Sequence, residues 1–325
     1  MTSSQPDPRW AASGWGHRVG NQDELFRAVS RIGSLQAGRR YVWRGVSDAR
    51  YRVRSSLLRH LLAEQGAAGP PTEQTLRGRE RAILREARSW GLGFGATGFV
   101  PDLHLLTSLQ HHGVPTRLLD VTTNPMTAMW FACQSSPGES ATAGALFAFD
   151  VTFAPQYETL EFGPTAYGAM SDPPGWSLGS ALTVSARDHK PFMVRPTVRD
   201  ARMQAQEGLF IGGALPSDPT PPAALEDFDL AQSSAPGRDR LSRLFAPDDR
   251  PAGRPMSLPF CALVIPPAVK SKALPHLLGT YDRRFATMFP DVEGFAAALT
   301  QGELDLTPPS VPDKPVSPQS TQDVD

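Results

Sequence analysis

The sequence predicts an α+β fold, a single domain in which a mixed or antiparallel sheet is flanked by helices. Three observations lead there. Segments of helical and of strand period interleave along the chain. No Walker loop occurs, and the one Gly-x-Gly-x-x-Gly string, Gly93–Gly98, follows a helix-period segment and not a strand, which argues against a doubly wound sheet built around a nucleotide. The 32 prolines and 28 glycines gather in a few stretches that also carry Ser, Asp and Ala, so they mark arms, linkers and insertions.

Residues 1–18 lack periodicity and are expected to form a flexible arm. From Asn21 the pattern changes: Leu25, Phe26, Val29 and Ile32 recur at helical spacing, Asp23 and Glu24 favour the first turn, and Gly33 stops the helix. Tyr41-Val42-Trp43 is aromatic and β-branched, a strand that delivers Arg44-Gly45 into a turn. A helical turn over Leu57–Leu62 and a polar connection from Gly66 to Pro71 precede the clearest helix, Thr72–Trp90, which ends at Gly91. A second strong helix runs from 101 to 112; Gly113 suits a left-handed cap and Pro115 forbids continuation. Thr116–Val121 reads as a strand, Asn124-Pro125 starts a helix to about Gln134, and Ala143–Val151 is an apolar strand after the turn 135–142. Beyond it, Ala181–Ser185, Phe192–Arg195 and Gly208–Gly212 read as strands, with one or two helical turns over Val198–Gln206. The span 214–258 reads as a Pro-rich insertion with an amphipathic turn at Leu241–Phe245, whose removal should leave the core intact. A strand at Cys261–Ile265, helices at Val269–Leu278 and Val292–Leu299, and a disordered tail over 301–325 complete the chain. The folded unit is therefore expected over 19–300.

The 32 Lys and Arg balance 33 Asp and Glu, giving a net charge of -1. No global field exists to hold a polyanion or a membrane surface. Cys133 and Cys261 each sit in an apolar run, as buried thiols of a reducing compartment do. With no leader-like segment and no window of membrane-spanning length, a cytoplasmic protein with no membrane partner is expected. Metal-ligand spacings of the Cys-x-x-Cys or His-Glu-x-x-His kind are missing, so no metal is expected. A Gly-x-Ser-x-Gly string occurs once, Gly175-Trp176-Ser177-Leu178-Gly179, but a Pro-rich stretch and no strand-period segment leads into it, unlike a nucleophile elbow.

Several segments together resemble the FRG family, whose Phe-Arg-Gly element appears here as Trp43-Arg44-Gly45. The most specific stretch is Leu109-Gln110-His111-His112-Gly113-Val114-Pro115-Thr116-Arg117-Leu118-Leu119-Asp120, followed by Thr122, Asn124-Pro125, Ala128 and Trp130-Phe131-Ala132. Gln206-Glu207-Gly208-Leu209-Phe210 and Phe289-Pro290-Asp291 are weaker matches. Trp43 departs from the family's first residue, and Val121 stands where tryptophan is commoner. The resemblance implies a bacterial defence or toxin context, with a macromolecular target and an antitoxin or defence-system partner. It also implies a distant similarity to ADP-ribosyltransferase-like folds, and so NAD as a substrate.

Such a transferase needs a cation for the pyrophosphate, a group that fixes the ribose and a carboxylate facing the developing oxocarbenium ion. Arg44 can hold phosphate oxygens bidentately with Gly45 letting the backbone approach, or it can pair structurally with Asp120. His111 and His112 point about 100° apart on a helix, so one faces a pocket. His112 is the expected donor, or else caps its own helix. Thr116 and Asp120 share a strand face, which Arg117 does not. Asp120 is either the site's carboxylate or a cap of the next helix. Gln206 and Glu207 resemble the last transferase motif, with Glu207 a carboxylate candidate or an exposed turn residue. The same residues would also serve a non-catalytic module that senses a nucleotide, a nucleic acid or a protein.

Overall fold

Tyr41–Val46 lies at the heart of the structure because its side chains alternate between two packed faces and both its edges are paired. The computed structural model describes residues 14–65, 70–95, 98–134, 142–159, 178–196, 200–216, 237–246 and 254–300, with 302, 304 and 306. Among them the strands are β1 (Gly16–Arg18), β2 (Tyr41–Val46), β3 (Phe94–Gly95), β4 (Gly98–Phe99), β5 (Leu119–Thr122), β6 (Gly144–Asp150), β7 (Gln156–Thr159), β8 (Phe192–Pro196), β9 (Gly208–Gly212) and β10 (Phe260–Ile265). Eight of them form one sheet in the order β1-β10-β6-β2-β5-β9-β8-β7, and β3 and β4 make a separate two-stranded ribbon. The outer pairs β1–β10 and β7–β8 are parallel and the five inner pairings antiparallel, so the sheet is mixed.

The helices are α1 (Gln22–Gly33), α2 (Ser56–Gln65), α3 (Glu73–Ser89), α4 (Asp102–His111), α5 (Pro125–Cys133), α6 (Leu178–Asp188), α7 (Ala201–Ala205), α8 (Gly237–Leu244), α9 (Pro267–Gly279), α10 (Phe285–Met288) and α11 (Val292–Thr300). They divide between the two faces of the sheet. On one face α1, α5 and α9 bury Leu25, Ile32, Met129, Trp130 and Leu277 against β2, β6 and β10. On the other, α3, α4 and α6 bury Leu84, Leu106 and Leu182 against β8 and β9. Strand alternation in β9 serves both: Leu209 and Ile211 enter the first cluster, Phe210 the second.

Local signals set many boundaries. Asn21 caps α1 by accepting from Glu24 N, and Thr72 caps α3 by accepting from Thr75 N. Asn124 caps α5 through Met126 N, with Pro125 in the first turn where its missing N–H costs nothing. Gly113 takes φ +81° as α4 ends.

Four expectations differ from the structure. Ala181–Ser185 lies inside α6, because Leu178, Ala181, Leu182 and Ser185 are the buried positions and their spacing is that of a helix. Thr116–Val121 contributes a strand only over Leu119–Thr122, since the Thr116 backbone bonds to the start of α2 instead of a ladder: its N–H donates to Ser56 Oγ and its carbonyl accepts from Leu57 N, each at 3.0 Å. Gly16–Arg18, assigned to the arm, pairs with β10, and Trp15 beside it is buried. The 214–258 span is not dispensable to packing: Leu241, Leu244 and Leu258 join the core, and the Tyr41 hydroxyl donates to Leu258 O at 3.1 Å. The rest of that span, 217–236 and 247–253, lies outside the described residues, as do residues 1–13, the turn residues 135–141 and almost all of 301–325. No helix among the described residues is long and apolar enough to cross a membrane.

Candidate functional site

Where β2 meets α5 the backbone packing explains the glycine of Trp43-Arg44-Gly45. A Cβ built on Gly45 would stand 1.8 Å from Ala128 O and 2.7 Å from Ala132 N, so any side chain would push the helix off the sheet. Gly144 on the neighbouring strand is pressed in the same way onto Ala132 O, at 2.1 Å. Gly45 borders the cleft described next, and its intimate neighbour is α5.

A cleft of about 400 Å³ opens over β2, β5 and β9, between α4, α5 and α7. Its polar lining includes Arg44, Gln110, His111, Asp120, Arg202 and Gln206; Phe131 and Phe289 are aromatic walls. A volume of this order suits a small organic ligand. Arg44 donates from Nη1 to the backbone carbonyl of Asp120 at 2.6 Å, and the same nitrogen lies 3.8 Å from the Asp120 carboxylate. The two readings of Arg44 thus meet at one place, an arginine beside a carboxylate whose side chain is 64 % exposed.

Gln110 links the two strand-face candidates. Its amide accepts from Thr116 Oγ1 at 2.7 Å and donates to Asp120 Oδ2 at 3.2 Å. Thr116 itself is fully buried and supports this relay; it does not line the cleft. Gln110 stands in the string that carries the resemblance, one turn after buried Leu106, but the sequence alone assigns it no role of its own.

Of the paired histidines, His111 lines the cleft and His112 does not. The helix phase decides this. His111 follows buried Thr107 by four residues, whereas His112 follows exposed Ser108. His112 ends α4 as its C-cap, its backbone N–H bonded to Ser108 O, with its ring edge-on to that of His111. The expected donor position therefore passes to His111, whose Nδ1 is 3.3 Å from Asp200 Oδ2.

The motif after α7 splits in two. Gln206 lines the cleft while its side-chain amide donates to Met288 O at 3.0 Å and its backbone carbonyl accepts from Thr122 Oγ1 at 2.7 Å. Glu207 turns away from the cleft lining: at φ +50° it is a left-handed residue, and its Oε1 accepts from Asn124 Nδ2 at 2.7 Å and Arg283 Nη2 at 3.3 Å. These bonds tie the cap of α5 to the segment before α10. Arg202, not foreseen as a site residue, lines the cleft with its guanidinium 4.4 Å from the centroid of the Phe289 ring. Asp291 and Glu293 lie 3.5 and 3.7 Å from it.

Arg117 behaves quite differently from Arg44. Fully buried, it donates from Nε to both oxygens of buried Glu80 at 2.9 Å, and from Nη1 to Glu73 and to Gly213 O. Burial pushes the Glu80 carboxyl up, and the adjacent Arg117 pulls against that shift. This pair fixes the string to α3 and keeps Arg117 out of the cleft lining, although neither Arg117 nor Thr116 lies in the strand expected to separate them by face.

No curated protein and no solved structure matches the chain. The family model for the FRG domain does match, over residues 39–140. That span supplies Arg44, Gly45, Gln110, His111 and Asp120, while Arg202 and Gln206 come from outside it. The match to the FRG-domain model is confined to residues 39–140, and the cleft that this segment borders is completed by the strands and helices that follow.

Proposed function

We propose that the cleft binds NAD and cleaves it at the nicotinamide–ribose bond, as an ADP-ribosyltransferase-like activity. The observation that supports this is the convergence of Arg44, Gln110, His111, Asp120 and Gln206 on one cleft walled by Phe131 and Phe289. Arg44 and Arg202 offer guanidinium donors to pyrophosphate oxygens. The rings of Phe131 and Phe289 offer apolar walls to a flat heterocycle, and the amides of Gln110 and Gln206 offer donors and acceptors to ribose hydroxyls.

Asp120 is the carboxylate assigned to the reacting centre, in preference to Glu207, because it is exposed on the cleft and Glu207 is engaged by Asn124 and Arg283. In the proposed step the bond from ribose C1 to the nicotinamide nitrogen breaks and its electron pair leaves with nicotinamide. The Asp120 carboxylate stabilises the cationic ribosyl centre. A hydroxyl of a macromolecular acceptor, or water, forms the new bond at C1 and releases its proton to solvent. A bacterial toxin or defence setting, with an antitoxin or defence-system partner, belongs to the same proposal and rests on the FRG resemblance alone.

The test is incubation of the purified protein with NAD, following free nicotinamide and mass addition on protein and RNA acceptors. Release by the wild type, and its loss in Arg44→Ala and Asp120→Asn with folding intact, is the expected result. Saturable NAD binding without release would assign the cleft to a non-catalytic sensing module instead. Absence of both would remove NAD from the account.

A further inference from the structure

A second cavity, of about 410 Å³, shares no lining residue with the Arg44 cleft. Separate segments build it: Arg39 ahead of β2, Asp150 and Phe153 at and after the end of β6, His189 and Lys190 between α6 and β8, and Arg240 on α8. Phe153 is 71 % exposed. Two cations lie over its ring, the Arg39 guanidinium carbon 5.6 Å and Lys190 Nζ 5.7 Å from the centroid. The negative face of an aromatic ring attracts cations, and here it draws two like charges to one place.

The carboxylates nearby are committed elsewhere or outnumbered. Asp150 accepts from Arg39 Nη1 at 2.8 Å through Oδ2, and through Oδ1 from the backbone and hydroxyl of Thr152. Asp188, which acts on Lys190 and His189 from the end of α6, takes Arg187 on both oxygens and is not part of the lining. The lining thus sets the full cations Arg39, Lys190 and Arg240 against the single carboxylate Asp150. Positive charge concentrated in a concave, partly dry site attracts anions more strongly than the same charges spread on a flat surface.

We infer that this cavity is a second binding site, for a small phosphorylated molecule held by Lys190 and Arg240 with Arg39 as a fixed neighbour. Its size admits a nucleoside monophosphate. The inference is independent of what the Arg44 cleft binds.

Calorimetric titration of pyrophosphate and of AMP into full-length Arg44→Ala protein isolates the second cavity from the first. Both probes should bind saturably there. Adding Lys190→Ala and Arg240→Ala should weaken each by roughly tenfold or more; both side chains are outside the core, and an unchanged melting temperature confirms that the fold is kept. Arg39→Ala is avoided because it strips Asp150 of its partner. No saturable binding in the Arg44→Ala protein would overturn the inference. So would affinities indifferent to Lys190 and Arg240, or binding of AMP without pyrophosphate, which would point to recognition of the base.

Discussion

Two arginines, 73 positions apart in the sequence, show how one residue type divides between structure and site. Arg117 has 1 % of its side chain exposed and is surrounded by Glu80, Glu73 and Gly213 O. Arg44 has 23 % exposed, donates to the Asp120 carbonyl at 2.6 Å and borders an open cleft. A buried guanidinium must be fully paired, because removing it from water costs several kcal/mol that only close carboxylates and carbonyls return. Arg44 keeps contact with water and with the cleft while lying beside the exposed Asp120 carboxylate. The comparison teaches that the arginine inside the most distinctive stretch of the sequence holds the scaffold, and the arginine of the shorter Trp-Arg-Gly element faces the cleft.

Substitution can break that contrast, most severely at Arg117. Arg117→Ala strands Glu80 in the interior and should cost about 3–5 kcal/mol of stability, read by chemical denaturation; a loss below about 1 kcal/mol would mean that the pair is not an anchor. Gly45→Ala drives a methyl group into Ala128 O and should cost about 1–3 kcal/mol, visible as a lowered melting temperature. Arg44→Ala, by contrast, should cost only about 1 kcal/mol by the same denaturation. A result as large as that for Arg117 would make Arg44 structural too. His111→Ala should weaken NAD binding about fivefold and His112→Ala should leave it unchanged, since only the former lines the cleft. The smallest effect is expected of the thiols. Burial pushes Cys133 up to about 12 and Cys261 up as well, so native protein at pH 8 should resist alkylation that takes both cysteines once it is unfolded.

The sequence reveals the framework of 39–140 well because local signals dominate there. Caps at Thr72 and Asn124, the stop at Gly113 and the aromatic run at Tyr41 each mark an element without help from distant residues. Later regions are harder. Ala181–Ser185 is short enough to suit either period, and the helix emerges only when Leu178 is counted with it. Leu241 and Leu244 read as an amphipathic turn in a dispensable insertion until the first core cluster is seen to receive them.

The site follows the same division. Arg44 and Asp120 lie side by side, as one of the two readings of Arg44 has it, whereas Thr116 does not share the cleft with Asp120; helix phase alone would have chosen His111 had Ser108 been recognised as exposed. Contacts that join remote segments could not be read. Arg202 meets Phe289 across 87 positions, and Glu207 meets Arg283 across 76. Tertiary packing assembles both pairs, and no local pattern announces it.

The most direct test of the account is single-turnover release of nicotinamide from NAD by two variants, Arg44→Ala and Gly45→Ala, each measured below its own melting temperature. The account predicts that Arg44→Ala, the better folded of the two, loses roughly 100-fold or more in rate, and that Gly45→Ala, though less stable, keeps more activity than Arg44→Ala. Equal release by the wild type and Arg44→Ala would contradict the claim that the Arg44 cleft is where this protein acts.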